Sequence, residues 1–244
     1  VPVLVQAYPD DLNQLGVARR RDGFCGKISV CNNLVQAGIK FTLTEKHVTQ
    51  INGVEFHDDL DKFLGVCRVV NGLRGVRLGS VGARPGAFNT VRYSEKILER
   101  HGITVTTVDL SELIAGVERL DGNEDAVQAK LAAIQDYAPS PNVPSEKLVQ
   151  MARLGVVLEE WMTENALDAT AIQCWTSVQQ NLGCNVCTLM SMMSEGFMPS
   201  ACEVDVLGVL TMYAMQLAAG SPAAIVDWNN NYGDEDDKCT LFHC

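Results

Sequence analysis

Positive charge is scarce in this chain of 244 residues: 19 Lys and Arg stand against 30 Asp and Glu, a formal net charge of -11. Binding nucleic acid through its phosphates needs a basic face, and the only basic cluster, Arg19-Arg20-Arg21, is too short to make one. Long apolar runs are lacking as well. The nearest approach to a membrane span, Val204 to Val226, is flanked by Glu203, Asp205 and Asp227 and broken by Gly220-Ser221-Pro222, whereas a spanning helix needs about 20 uninterrupted residues. No basic stretch or cleavage site opens the chain, and Val1-Pro2-Val3-Leu4-Val5 reads as a strand. The nine cysteines are irregularly spaced and sit mostly in apolar runs, so they read as buried thiols rather than a disulfide framework. That cysteine usage points to the cytoplasm. What is present, 47% apolar and 20% charged residues, is a globular composition with enough material for one large or two ordinary domains.

The order of elements is α/β. Val3 to Ala7 reads as a strand, Asp22 to Gly26 as a glycine-punctuated loop, Lys27 to Ala37 as a helix and Phe41 to Thr44 as a further short strand. His57 to Val70 has the apolar spacing of an amphipathic helix, Val76 to Val81 is a strand, and a helix over Val91 to Arg100 leads through Gly102 into a strand over Thr104 to Val108. Such a β-loop-α-β unit builds a parallel sheet. The loop of that unit does not carry a dinucleotide fingerprint, since Gly79, Gly82 and Gly86 lack the G-x-G-x-x-G spacing. Asp109 to Tyr137 reads as polar helix, Ala138 to Pro144 as a proline-rich linker, and Ser145 as the cap of a long helix. Ala169 to Trp175 is a buried strand. Cys184 and Cys187 open a Met-rich helix, and with no second pair at suitable spacing they read as helix thiols rather than zinc ligands.

Chemistry is concentrated near the end. Pro199 to Gly208 and Ala223 to Trp228 each contain an apolar run that reads as a strand, with a carboxylate, Glu203 or Asp227, at its C-terminal end. Open α/β sheets bind ligands at that end, so two carboxylates from neighbouring strands are expected in one crevice. A carboxylate on an apolar strand must be paired, hydrogen-bonded or metal-bound. His243 follows on another short apolar run, past the acidic loop Asp234 to Asp237. Glu203, Asp227 and His243 form a ligand set suited to Mn²⁺ or Mg²⁺ that also admits Co²⁺ or Fe²⁺; the plain alternatives are a helix cap for Glu203 and a core position for His243. Gln173, ending its strand, must find either a ligand hydroxyl or a neighbouring backbone. Arg84 is a cation on a loop at the ligand end of the sheet, a substrate contact or a solvated surface residue.

Ala171-Ile172-Gln173-Cys174-Trp175, Pro199 to Gly208, Ala223 to Asn229 and Leu241 to Cys244, in this order and spacing, resemble the L-fucose/L-arabinose isomerase family, and more its fucose isomerase branch. The resemblance is strongest over residues 169 to 244. It implies a piece of a longer polypeptide, with Rossmann-like parallel-sheet domains carrying helices on both faces: residues 1–56 as the end of an N-terminal α/β domain, 57–215 as a middle α/β domain with Gln173 and Glu203, and 216–244 as the start of a β-rich C-terminal domain with Asp227 and His243. It further implies a Mn²⁺-dependent aldose-ketose isomerase acting on a free sugar through an enediol. Glu203 matches a metal-binding base, Asp227 a metal-binding acid/base group, and Gln173 a sugar contact, with Trp175 from the same motif and Arg84 as further substrate contacts. His243 matches a histidine of the arabinose branch, whereas the fucose branch takes its ligand histidine from further along. The resemblance also implies a homo-oligomer with sites near subunit contacts, which Arg84 or the Asp22 to Gly26 loop would serve. A sugar epimerase with the same site, or a non-catalytic sugar-binding protein on the same scaffold, are the competing readings.

Overall fold

The computed structural model describes residues 1–243, which divide into two compact units, Val1–Asn71 and the residues from Gly72 onward. In the first unit β1 (Leu4–Val5) pairs in parallel with β2 (Thr42–Leu43). Both strands are shorter than the apolar runs that contain them. Between them α1 spans Gly23–Gln36, so the glycines at 23 and 26 lie in a helix and not in a loop. Asp22, with φ 51°, makes the left-handed bend that starts it. The buried side chain of α1 is Lys27, whose Nζ donates to Thr44 Oγ1 at 2.6 Å and to the His47 carbonyl at 3.0 Å. Burial pushes that ammonium below its usual range, and the oxygen partners are what make burying it tolerable. The helix α2 (Val54–Gly72) runs to the unit boundary, so residue 57 falls inside its first turn.

The second unit is built on a four-stranded parallel sheet in the order β4-β3-β5-β6, where β3 is Arg77–Val81, β4 Thr104–Val108, β5 Ala169–Ile172 and β6 Ser200–Cys202. The chain passes from β3 outward to β4 and then returns past β3 to β5. The strand order therefore reverses between β3 and β5, which is where a doubly wound sheet opens a crevice.

After β3 come a 3-10 turn (Asn89–Val91) and α3 (Glu95–Arg100), where periodicity alone predicts one helix. After β4 come α4 (Leu110–Arg119) and α5 (Asp125–Tyr137). The single helix expected there is interrupted at Asp121-Gly122-Asn123, where Asp121 accepts the Asn123 N–H at 2.9 Å in a side-chain turn. The long α6 (Ser145–Glu164) starts with Pro144, not Ser145, in the capping position. Following β5 are α7 (Ser177–Leu182) and α8 (Cys187–Glu195), and following β6 is α9 (Val206–Ala219).

Successive strand residues alternate between two cores, as a pleated sheet requires. Val81, Ile172, Cys174 and Cys202 pack with α4, α5, α6, α7 and α8, whereas Leu78, Ala169, Ala171 and Ala201 pack with α3 and α9. Gly79 lets α6 approach, since a Cβ there would lie 2.8 Å from Leu167 Cδ1 and 2.9 Å from Trp161 Cζ3.

The last segment departs from expectation. Residues 221–226 form no strand, and β7 (Asp227–Tyr232) pairs antiparallel with β8 (Glu235–Phe242), separate from the parallel sheet. Gly233, with φ 58°, and Asp234 make the two-residue turn, a hairpin signal that wins over the apolar run before it. The acidic stretch is accordingly part turn and part strand. Asp227 opens a hairpin strand instead of ending a strand of the sheet. This hairpin is the β-rich part expected at the end of the chain.

Candidate functional site

Glu203 stands immediately after β6, at the C-terminal edge of the sheet. The backbone there is unusual, with φ 62° at Glu203 and 57° at Val204. The left-handed region is costly for residues with a Cβ and more so for a β-branched one. The turn is held by Asp205, whose N–H donates to the Cys202 carbonyl at 3.0 Å and whose Oδ1 accepts the Gly208 N–H at 2.8 Å, capping α9. The helix cap is thus Asp205, not Glu203. An acid just before an apolar helical run is its sequence signal, and Asp109, ahead of α4, accepts the Ser111 N–H at 2.8 Å in the same way. Gly208 is needed for this closeness, because a Cβ would fall 2.4 Å from Asp205 Oδ2 and 2.6 Å from Ile225 Cδ1.

Glu203 is half-buried. Burial pushes its carboxyl above the usual range, the fields of Asp227 and Asp205 add to that, and His243 opposes it. Asp227 and His243 both act on Glu203 electrostatically, although Asp227 arrives from the hairpin and is itself exposed. These donor types suit a hard divalent ion. As a cage they are incomplete: among the described residues no group of three or more His, Cys, Asp or Glu side chains is placed to hold a metal ion.

Gln173 follows β5 at the reversal of strand order. Its Oε1 accepts the Ala83 N–H at 2.8 Å, and its Nε2 donates to the Trp175 carbonyl at 3.1 Å. The amide is satisfied by neighbouring backbone, and it fixes the loop after β3 against the segment after β5. Trp175 is 42% exposed and packs its ring against Phe88 at a centroid distance of 5.5 Å. Phe88 was not marked by its sequence context, since nothing in a loop's spacing announces an aromatic contact across strands. Arg84 is half-buried, with Nη1 donating to the carbonyls of Pro85 at 2.8 Å and Gly86 at 3.3 Å. Among the described residues it forms no ion pair. The structure thus groups Gln173 and Trp175 with the loop that carries Arg84, and Glu203 with Asp227 and His243. The two groups meet at Cys174, which follows Gln173 and is drawn down in part by the Glu203 backbone.

Beside Glu203 two buried thiols, Cys174 and Cys202, act on each other. The interaction with Cys202 draws Cys174 down to about 7, and the same interaction with burial pushes Cys202 up. Cys187 opens α8 nearby and is half-buried, while Cys184 precedes the helix and is buried. No helix among the described residues is long and apolar enough to cross a membrane.

Residues 1–74 match the family model of the fucose/sulfoquinovose isomerase N-terminal domain. This is the first compact unit with the end of α2, and not the 169–244 segment in which the sequence resemblance reads strongest. Among similar curated proteins are a sulfoquinovose isomerase of Clostridium sp. (strain MSTE9), 25% identical over 183 residues, one of Priestia aryabhattai, 25% identical over 182, and one of Alkalicoccus urumqiensis, 24% identical over 186. These alignments cover 75%, 74% and 76% of this chain but only 40%, 40% and 42% of those proteins. The chain therefore spans about two fifths of the length of the curated relatives it matches. Residues 1–74 are thus similar to the N-terminal domain of fucose/sulfoquinovose isomerases, and about three quarters of the chain is similar to sulfoquinovose isomerases.

Proposed function

We propose that this chain carries part of the active site of an aldose-ketose isomerase acting on a free sugar, with Glu203 as the base. The observation that carries the reading is Glu203 itself: a half-buried carboxylate at the ligand end of a parallel sheet, held on a strained turn, pushed above its usual pKa and within the electrostatic reach of a second carboxylate and an imidazole. A base with a raised pKa binds a substrate proton more strongly once it has taken it. In the proposed reaction Glu203 removes the proton from the carbon next to the carbonyl of the open-chain sugar, giving an enediol. Return of a proton to the neighbouring carbon completes the ketose, with Glu203 and Asp227 moving protons on opposite faces. Both carboxylates would hold a divalent ion, Mn²⁺ by the family resemblance with Mg²⁺, Co²⁺ or Fe²⁺ as alternatives, and such an ion when bound polarises the sugar oxygens and offsets the repulsion between carboxylates. His243, or a histidine of the longer polypeptide, would complete the set.

Gln173, Trp175 and Arg84 are the proposed substrate contacts. With its side-chain amide engaged by Ala83 and Trp175, Gln173 shapes the loop, and Trp175 offers an exposed ring on which an apolar sugar face can lie. The relatives' names favour a sulfonated aldose over L-fucose or L-arabinose, and Arg84 is a cation placed to meet an anionic substituent. The proposed setting is cytoplasmic, in a homo-oligomer with sites near subunit contacts.

The test uses the polypeptide of the relatives' length that contains this chain. Ketose formation from sulfoquinovose, L-fucose and L-arabinose is followed after chelation and after Mn²⁺ is returned. Mn²⁺-restored ketose formation from one of the aldoses is expected. A protein that binds the sugar with no turnover would favour the sugar-binding reading, and an epimer in place of a ketose would favour the epimerase.

A further inference from the structure

Cys174 and Cys202 have no role in the proposed proton transfer, yet they adjoin its base. Cys202 ends β6, and Cys174 lies two residues past the end of β5, the strand beside it. The register pairs Ile172 with Cys202, and Ile172, Cys174 and Cys202 all face the same core. There the two thiols are close enough to act on each other, and Cys174 is close to the Glu203 backbone. Their side chains are 3% and 5% exposed. They are nonetheless reachable, because both line a cavity of about 450 Å³ whose other walls include Thr176, Gln179, Asn185 and Cys187. A buried thiol pair in an all-apolar setting is inert; this pair is in contact, polar on one side and open to a small solute.

We propose that Cys174 and Cys202 form an oxidation-sensitive pair, closed into a disulfide by a small hydroperoxide such as hydrogen peroxide, and that closure switches off the site at Glu203. In the first step the Cys174 sulfur attacks one peroxide oxygen, the O–O bond breaks, and the departing hydroxide takes the thiol proton to leave as water. In the second step the Cys202 sulfur attacks the resulting sulfenic acid, the S–S bond forms, and the hydroxyl leaves with the Cys202 proton as a second water. Two thiols lose two electrons in all, and the peroxide gains them. The disulfide and the balance are the same if Cys202 attacks first. The S–S bond shortens the sulfur separation to about 2.05 Å, drawing together the ends of β5 and β6. Glu203 follows directly on Cys202, so it cannot keep its place. Reduction by a dithiol reverses the change.

The effect on turnover rests on the isomerase reading, but formation of the bond does not. The full polypeptide containing this chain is treated with hydrogen peroxide, its remaining thiols are blocked, and the digest is mapped without reduction. A peptide cross-linked between Cys174 and Cys202 is expected, and it disappears after dithiothreitol. In parallel, ketose formation falls at least several-fold and returns on reduction, while Cys174→Ala keeps its own rate, whatever that rate is, after peroxide. Blocked but uncross-linked thiols at both positions would overturn the proposal, as would a bond from either one to Cys187. Equal inactivation of wild type and Cys174→Ala would overturn the switch. If Cys174→Ala does not fold, the wild-type map and its reversal by dithiothreitol decide the matter alone. A protein with no isomerase activity would refute the isomerase reading while leaving the map as the test of the thiol pair.

Discussion

Gln173 holds Ala83 across the point where the strand order reverses: Oε1 accepts the Ala83 N–H at 2.8 Å while Nε2 donates to the Trp175 carbonyl at 3.1 Å. One amide thus sets the shape of the edge where the sheet would receive its ligand. Replacing it with leucine, Gln173→Leu, removes both bonds at a cost of about 0.5–1.5 kcal/mol each, and it frees the loop that carries Arg84. Urea unfolding is expected to show the destabilisation, and the KM for the sugar is expected to rise more than kcat falls.

Glu203 makes a prediction about stability as well as turnover. Its carboxyl is held above the ordinary value first by burial and then by Asp227 and Asp205, against His243. The folded state therefore binds this proton more strongly than the unfolded chain does. The stability associated with the group is highest below the ordinary glutamate pKa, falls as pH rises towards the raised value, and stays reduced above it. Glu203→Gln removes that loss. The variant is expected to be more stable than wild type near neutral pH, with the difference shrinking in acid, as read from urea midpoints across the pH range.

The approach of α6 to the sheet depends on Gly79. An alanine methyl there would lie within 2.9 Å of Leu167, Thr170 and Trp161 atoms. Gly79→Ala is expected to cost about 1–3 kcal/mol by overpacking, seen as a lower denaturation midpoint.

Asp205 holds the turn beneath Glu203 through its bond to Gly208 at 2.8 Å. Loss of such a cap costs about 0.5–2 kcal/mol. Asp205→Asn keeps an oxygen acceptor and is expected to retain most of the stability that Asp205→Ala loses, measured by thermal melting.

Much of this arrangement is legible in the residues because it rests on local chemistry. Thr104 to Val108 reads as a strand and is one, and the carboxylate of Glu203 and the amide of Gln173 lie where a strand-end position predicts. What is not legible depends on partners distant in sequence. The apolar run before Asp227 carries more β-branched residues than β6 (Ser200-Ala201-Cys202), yet 221–226 form no strand and the Gly233-Asp234 turn takes the following residues into a hairpin. Propensity does not say which strand a run pairs with. Gln173 illustrates the same limit: spacing requires a partner for its amide, and only the fold brings Ala83 to it. Cys174 and Cys202 are 28 positions apart, and only the pairing of β5 with β6 makes them neighbours.

Proton removal by Glu203 is the centre of the account, and solvent exchange tests it most directly. The polypeptide of the relatives' length is incubated with its aldose substrate in deuterated water, and the hydrogen on the carbon next to the carbonyl is followed by NMR in wild type and Glu203→Gln. Exchange and ketose formation in wild type, with both slowed by about 10²–10⁴-fold in a folded variant, is the predicted result. Exchange at the wild-type rate in Glu203→Gln would contradict it and assign the base to another residue.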